Sequence, residues 1–139
     1  MMRKAISLIS TAFKAADLKF DAQDAGPFSF TDMGITGESC TFRLRFISEE
    51  DNDVKAMTDD FAKFPPNKMQ KGYQLMNELN RTYKFFKFAM DEKGAVCAQY
   101  DFPISVKEEE IGAIAVEIVI RCMGIVDDAY PKIMQAIWS

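Results

Sequence analysis

The residue types able to do chemistry are restricted before spacing is considered, because the 139-residue chain contains no histidine. That removes Ser-His-Asp and Cys-His nucleophilic catalysis, histidine-ligated zinc and a histidine pH switch. Carboxylates, lysine, tyrosine and thiols remain. Cys40, Cys97 and Cys122 are odd in number, widely spaced and in no Cys-x-x-Cys pair, so neither a zinc site nor a disulfide framework is suggested. Each lies in an apolar stretch and reads as a buried, inert thiol, and three unpaired thiols fit a reducing cytoplasm. The run Glu49-Glu50-Asp51-Asn52-Asp53 invites a calcium loop. A loop starting at Asp51 needs glycine where Ala56 stands and glutamate where Ala62 stands, so a solvated turn is the better reading. Glu108-Glu109-Glu110 fits the first turn of a helix, where the dipole favours carboxylates, better than a metal cluster. Asp101 and Glu117 are the carboxylates left for an enzyme, and nothing in their spacing pairs them. No glycine-rich phosphate loop is present, and the Asn80-Arg81-Thr82 sequon means nothing without a signal peptide. The expectation is a protein with no catalytic residues, no cofactor and no metal.

Charge and composition narrow the partners. Seventeen Lys and Arg against 21 Asp and Glu give a net charge of −4, which disfavours a phosphate backbone. Arg43, Arg45, Lys84 and Lys87 lie beside aromatics on expected strands, as in sheets that stack RNA bases, but no ribonucleoprotein motif accompanies them. The most apolar segment, Ile111 to Ile120, contains Glu117 and is too short to span a bilayer. The N-terminal stretch is broken by Ser7, Ser10, Thr11 and Lys14, so it reads as an amphipathic helix rather than a signal peptide. A soluble, cytoplasmic protein with no nucleic-acid or membrane partner is expected. Its length suits one domain over residues 1–139, able to bury ~70% of the surface of its unfolded chain. Twelve Phe and nine Met either fill that core or form an adaptable contact surface.

Periodicity places the elements. Ile6, Ile9, Phe13 and Ala16 predict a helix over about residues 2–18. After Asp24, Gly26 and Pro27, Phe28-Ser29-Phe30 alternates, Gly34 and Gly37 bracket a turn, and Thr41 to Phe46 alternates again with Phe42, Leu44 and Phe46 on one side. Over residues 48–64, Val54, Met57, Phe61 and Phe64 favour a helix, whereas Ser48 to Asp53 looks like a charged turn. Pro66 opens a helix to about Asn80 with Tyr73, Leu75, Met76 and Leu79 as its apolar face. Tyr83 to Phe88 and Val96 to Tyr100 flank the turn Asp91-Glu92-Lys93-Gly94, a hairpin that ends at Pro103. Ser105 with Glu108 predicts a capping box for a last helix whose stripe is Ile111, Ile114, Ala115, Ile118, Val119 and Cys122. Pro131 is expected to kink or break that helix before Ile133, Met134, Ile137 and Trp138. Helices with hairpins joined by short turns make an α+β fold on an antiparallel sheet.

The most distinctive segment is Leu75-Met76-Asn77-Glu78-Leu79-Asn80, followed by Phe85 to Asp91, Gly94, and Gln99-Tyr100-Asp101-Phe102-Pro103. This order resembles the YbjN-type family of bacterial sensory transduction regulators, best over residues 53–126. The resemblance implies a fold like the type III secretion chaperones: about five antiparallel strands in the order α-β-β-β-α-β-β-α. It places a third strand over residues 53–63, against the helical periodicity, and makes residues 48–53 a hairpin turn. It brings no catalytic residues. Proteins of that fold commonly dimerise and hold partner segments in apolar grooves. Within the motif, Leu75, Asn77, Leu79 and Asn80 read as structural, with Asn80 ending the helix while bonding its last carbonyls or the neighbouring strand.

The functional expectation is a non-enzymatic, chaperone-like or regulatory domain that binds a protein partner or a second copy of itself through apolar surface. Its candidate contacts are Ile133, Met134, Ile137 and Trp138. The alternative is a small-molecule sensor with a Phe-lined pocket.

Overall fold

Ile6, Ile9 and Phe13 recur at helical spacing and are all buried in α1 (Lys4–Ala15), joined by Ala5. Ala16, expected on the same stripe, lies past the helix end and is exposed. The computed structural model describes residues 1–51 and 53–139. Asn52, in the turn expected over residues 48–53, lies outside the described residues.

The chain continues through β1 (Asp21–Asp24), β2 (Ser29–Thr36), β3 (Thr41–Ser48), β4 (Lys55–Thr58) and β5 (Ala62–Lys63). A short 3-10 turn at Pro66–Lys68 leads into α2 (Met69–Thr82), then β6 (Lys87–Met90), β7 (Ala95–Asp101) and α3 (Glu108–Trp138). All strand pairs are antiparallel: β1, β2, β3 and β4 follow in order, and β4 and β5 share one side of β7 while β6 takes the other. The α+β order is the expected one, with two additions. The strand over 53–63 is interrupted at Asp59-Asp60-Phe61, and β1 precedes the first expected hairpin.

The interrupted strand shows why helical periodicity failed. Val54, Ala56 and Thr58 are buried in alternation, because β3 and β7 flank the segment and impose a period of two. At the interruption the Thr58 hydroxyl accepts the Ala98 N–H at 2.9 Å, and the Phe61 N–H reaches Val96 O at 3.1 Å. The hydroxyl thereby stands in for a missing ladder bond.

The core forms where one face of the sheet meets α1 and α3. Met33 and Ile35 from β2 and Phe42, Leu44 and Phe46 from β3 join Ile6, Ile9 and Phe13, and Ile111, Ala115, Ile118 and Cys122 from α3. The Phe13 ring lies edge-on to Phe46 with centroids 5.5 Å apart. Helix α2 packs beside β6 and against α3.

Several local expectations are corrected. Gly34 lies inside β2 opposite Arg43, and the turn is formed by Gly37 to Cys40, with the Gly37 N–H donating to Cys40 O. Tyr83 to Phe86 is not strand: Phe85 adopts a φ of 74°, and the Phe86 N–H turns back to Lys84 O. Tyr73 is largely exposed, and Gly72 takes its place on the buried side of α2, where a Cβ would crowd Met90 and Phe64. Ser105 does not cap α3; Lys107 holds the N-cap position without a side-chain bond. The Glu108 to Glu110 run does occupy the first turn, where Glu108 pairs with Lys4 at 2.8 Å.

Pro131 does not break α3, which is helical to Trp138. Proline removes the N–H that would reach the Asp127 carbonyl four residues earlier. That carbonyl instead accepts the Ser39 hydroxyl, 2.7 Å away at the tip of the β2–β3 hairpin. The Asp127 carboxylate accepts the Ser39 and Glu38 N–H groups at 2.7 and 3.1 Å, so the hairpin tip and the proline turn satisfy each other.

Candidate functional site

Three surfaces present chemistry. The sheet face opposite the helices is open. On it the Arg45 guanidinium forks onto Asp32 at 2.8 and 2.7 Å and lies over the Phe30 ring at 4.0 Å. The Arg45 hydrogen bond holds the Asp32 carboxyl below the usual carboxylate range. Arg43, Ile47, Met57 and Asp59 complete a shallow hollow of about 290 Å³ there. Its charges are mutually paired or solvated, and its apolar part is limited to the half-buried Ile47 and Met57.

The second surface lies between α1 and β1. It is a broad, open cleft lined by Met2, Ser10, Lys14, Leu18, Lys19 and Phe20, among others. Two of its hydroxyls are spent on the helix itself: Ser10 donates to Ile6 O and Thr11 to Ser7 O.

The third is the outer face of α3. Burial on this helix follows Ile111, Ala115, Ile118, Val119, Cys122, Val126, Ala129, Ile133 and Ala136, so the opposite side carries Ile120 and Gly124, and one flank carries Glu117, Arg121, Asp128 and Lys132. Ile120 and Met123 are 56% and 38% exposed, and Phe85, on the neighbouring loop, is 49% exposed beneath the Arg121 guanidinium at 5.2 Å. Arg121 also pairs with Glu117 at 2.9 Å. Further along, the Tyr83 hydroxyl donates to Asp128, and Lys132 donates to Tyr83 at 3.0 Å. Burial, with the Asp128 contact, pushes the Tyr83 hydroxyl above its usual pKa. On this surface the large apolar side chains of Ile120 and Met123 stand exposed, with Glu117, Arg121, Asp128 and Lys132 along one flank, and exposed apolar surface beside charge is a feature of interaction sites.

The residues expected to contact a partner divide. Ile133 is fully buried in the core, and Met134 and Ile137 pack against it. Only Trp138 is free, at 82% exposed. The missed residues are Ile120, Met123 and Phe85. Ile120 and Met123 fall off the predicted apolar stripe of α3, which was the signal that could have found them.

In the family-type motif, Leu79 is buried, Leu75 packs against the core and Asn77 is exposed. Asn80 bonds the neighbouring strand, as one of its two expected roles required: its amide donates to Phe88 O at 3.0 Å, and its carbonyl accepts the Phe88 N–H at 2.6 Å. It thereby closes the outer edge of β6.

Cys122 is buried, and that burial pushes its thiol far up; Cys40 and Cys97 are half-buried. The Phe residues pack mostly into the core instead of lining a pocket: Phe13, Phe46, Phe64 and Phe86 are among the most deeply buried side chains. Among the described residues no group of three or more Cys, Asp and Glu side chains is placed to hold a metal ion, and no helix is long and apolar enough to cross a membrane.

A family model named YbjN, with the description "putative bacterial sensory transduction regulator", matches residues 5–125. The match reaches well upstream of the segment that carries the sequence resemblance and takes in α1 and the first hairpins. No curated protein matches the chain.

Proposed function

The chain belongs to the YbjN family of sensory transduction regulators, and from that premise we propose that it is a non-enzymatic, regulatory protein-interaction domain acting in the cytoplasm. It binds a protein partner through the outer face of α3. The observation that carries this reading is the exposure of Ile120 and Met123, neighbours three residues apart on α3, with Phe85 also exposed on the adjacent loop beside Arg121. Trp138, at the end of the same helix, extends the surface. The charged rim of Glu117, Arg121, Asp128 and Lys132 supplies orientation, since charges at the edge of an interface steer association more than they add affinity.

Photo-crosslinking in the native host tests this. A benzoylphenylalanine at position 123 is expected to give a discrete protein adduct that disappears when Ile120→Asp is added. The same probe at Lys87, on the open sheet face, is expected to give none. Adducts from position 87 and none from position 123 would overturn the assignment.

A further inference from the structure

We infer that Phe85 is the anchor of the interface proposed above, and that it docks on an acidic protein segment with an apolar seat for the ring. This rests on the α3-face reading and names the chemistry of the partner.

The first observation is backbone strain. The Phe86 N–H donates to Lys84 O at 2.9 Å, which closes a three-residue turn centred on Phe85 with its φ at 74°. This is the rare, strained hand of such a turn, and its centre is a place that glycine occupies freely and an aromatic residue does not. The turn drops Phe86 into the core, where it is 1% exposed. Burying Phe86 needs the turn but no aromatic ring at its centre. The Phe85 ring is instead turned outward, so the strain serves something outside the monomer.

The ring is also held ready. The Arg121 guanidinium lies over it at 5.2 Å, and Arg121 is itself fixed by Glu117 at 2.9 Å. A side chain ordered before binding loses little freedom on binding. Arg121 lines a shallow hollow of about 620 Å³ together with Tyr83, Ile120, Gly124 and Ile125. Ile120 belongs to that hollow and to the exposed side of α3, so the Phe85 loop is continuous with the proposed face.

The third observation is local charge. The chain carries a net charge of −4, yet no Asp or Glu occurs between Glu78 and Asp91. Arg81 and Lys84 are exposed within four residues of Phe85, and among the described residues neither is in an ion pair. Lys87, in the same stretch, belongs to the open sheet face. Arg121 is matched by Glu117, and Lys132 by Asp128 across the Tyr83 hydroxyl. Two unmatched cations therefore stand beside an exposed ring on an acidic molecule. Such a local surplus steers an acidic partner in and a basic one away. A nucleic acid also stacks on aromatic rings, but its backbone needs a far wider basic face.

Fluorescence anisotropy of the full chain with labelled synthetic probes is the test. A peptide of alternating Asp and Leu is expected to bind. A peptide of alternating Lys and Leu, one of alternating Asp and Ser, and an oligothymidylate are not. Phe85→Gly is expected to weaken the Asp-Leu peptide about tenfold or more, as loss of an anchor does. The same variant should melt close to wild type and above Phe85→Ala, since glycine alone relieves the turn. Replacing Arg81→Ser and Lys84→Ser together is expected to weaken binding severalfold and flatten its dependence on salt. A Phe85→Gly variant that binds like wild type, or that melts no higher than Phe85→Ala, would overturn the inference. So would a wild type that ignores the Asp-Leu peptide, or that binds any of the other three probes as tightly. None of these results alters the adduct expected from position 123. Its loss, with adducts from position 87 instead, is the separate failure of the α3 face.

Discussion

Asn77 and Asn80 share a helix and a motif, yet their replacement by alanine should move stability in opposite directions. Asn80 bonds both backbone groups of Phe88, at 3.0 and 2.6 Å, whereas Asn77 is exposed and bonded to nothing in the described structure. Two part-buried hydrogen bonds at about 0.5–1.5 kcal/mol each are lost in Asn80→Ala, and alanine's better helix propensity returns at most about 0.7 kcal/mol. The expected net loss is about 0.5–2 kcal/mol, a fall of about 2–6 °C in melting temperature for a chain of this size. Asn77→Ala forfeits no bond and should gain up to about 0.5 kcal/mol. Asn80→Asp keeps the acceptor for the Phe88 N–H but sets a carboxylate oxygen against the Phe88 carbonyl, so it should be no more stable than Asn80→Ala. Urea unfolding gives the energies, and amide hydrogen exchange gives the cause, since the Phe88 N–H should lose protection only in the Asn80 variants. If Phe88 exchanges as slowly in Asn80→Ala as in wild type, or if the two alanine variants lose equal stability, the edge-closing role of Asn80 is wrong.

Asp32 titrates below its usual range because it accepts the Arg45 guanidinium, so the folded state binds the proton less readily than the unfolded chain. The stabilisation is present above about pH 4, the ordinary aspartate pKa, and is lost as pH falls through the lower folded value; Asp32→Asn should flatten that part of a stability-versus-pH curve, and an unchanged curve would count against the pair. Thiol labelling of the native protein should reach Cys97 and Cys40, and leave Cys122 unmodified until the chain is unfolded, as its burial requires. Modification of Cys122 under native conditions would contradict its place in the core. Gly37→Ala should destabilise the hairpin tip, because a Cβ there would sit 2.6 Å from the Asp127 side-chain carbon. Faster exchange of the Glu38 and Ser39 amides is the expected readout, and Asp127→Ala should reproduce it.

Much of the fold was legible because it is written in short-range patterns. Phe42, Leu44 and Phe46 alternate and are all buried, and Ile6, Ile9 and Phe13 recur at helical spacing and are all buried. The turn at Asp91 to Gly94 forms because the Asp91 carboxylate accepts the Lys93 and Ala95 N–H groups while Gly94 takes a φ of 90°. Strand β1 escaped because Asp21-Ala22-Gln23-Asp24 has almost no apolar content, and its order comes from the backbone of β2 rather than from burial. The segment from Val54 to Phe64 misled periodicity for a related reason, since two flanking strands overrode a helical pattern that had no helix to pack against.

The expected contact residues turned on one proline. The sequence by itself determined a composition rich in Phe and Met and free of histidine, the apolar stripe of α3 and the Asn-x-Leu-Asn segment beside a hairpin. It also marked Pro131 as a residue that kinks or breaks the helix, and on that reading Ile133, Met134, Ile137 and Trp138 became a free apolar tail. Only the tertiary structure brings Ser39 to the Asp127 carbonyl, from 88 residues away. With that carbonyl satisfied, the helix runs on, and its stripe continues through Val126 and Ala129 to Ile133 and Ala136 in the core. The same continuity fixes which side of α3 looks outward, leaving Ile120, Met123 and Gly124 on the surface. A periodicity can name the face of a helix that will be buried, but whether the helix survives a proline depends on a bond no local pattern contains.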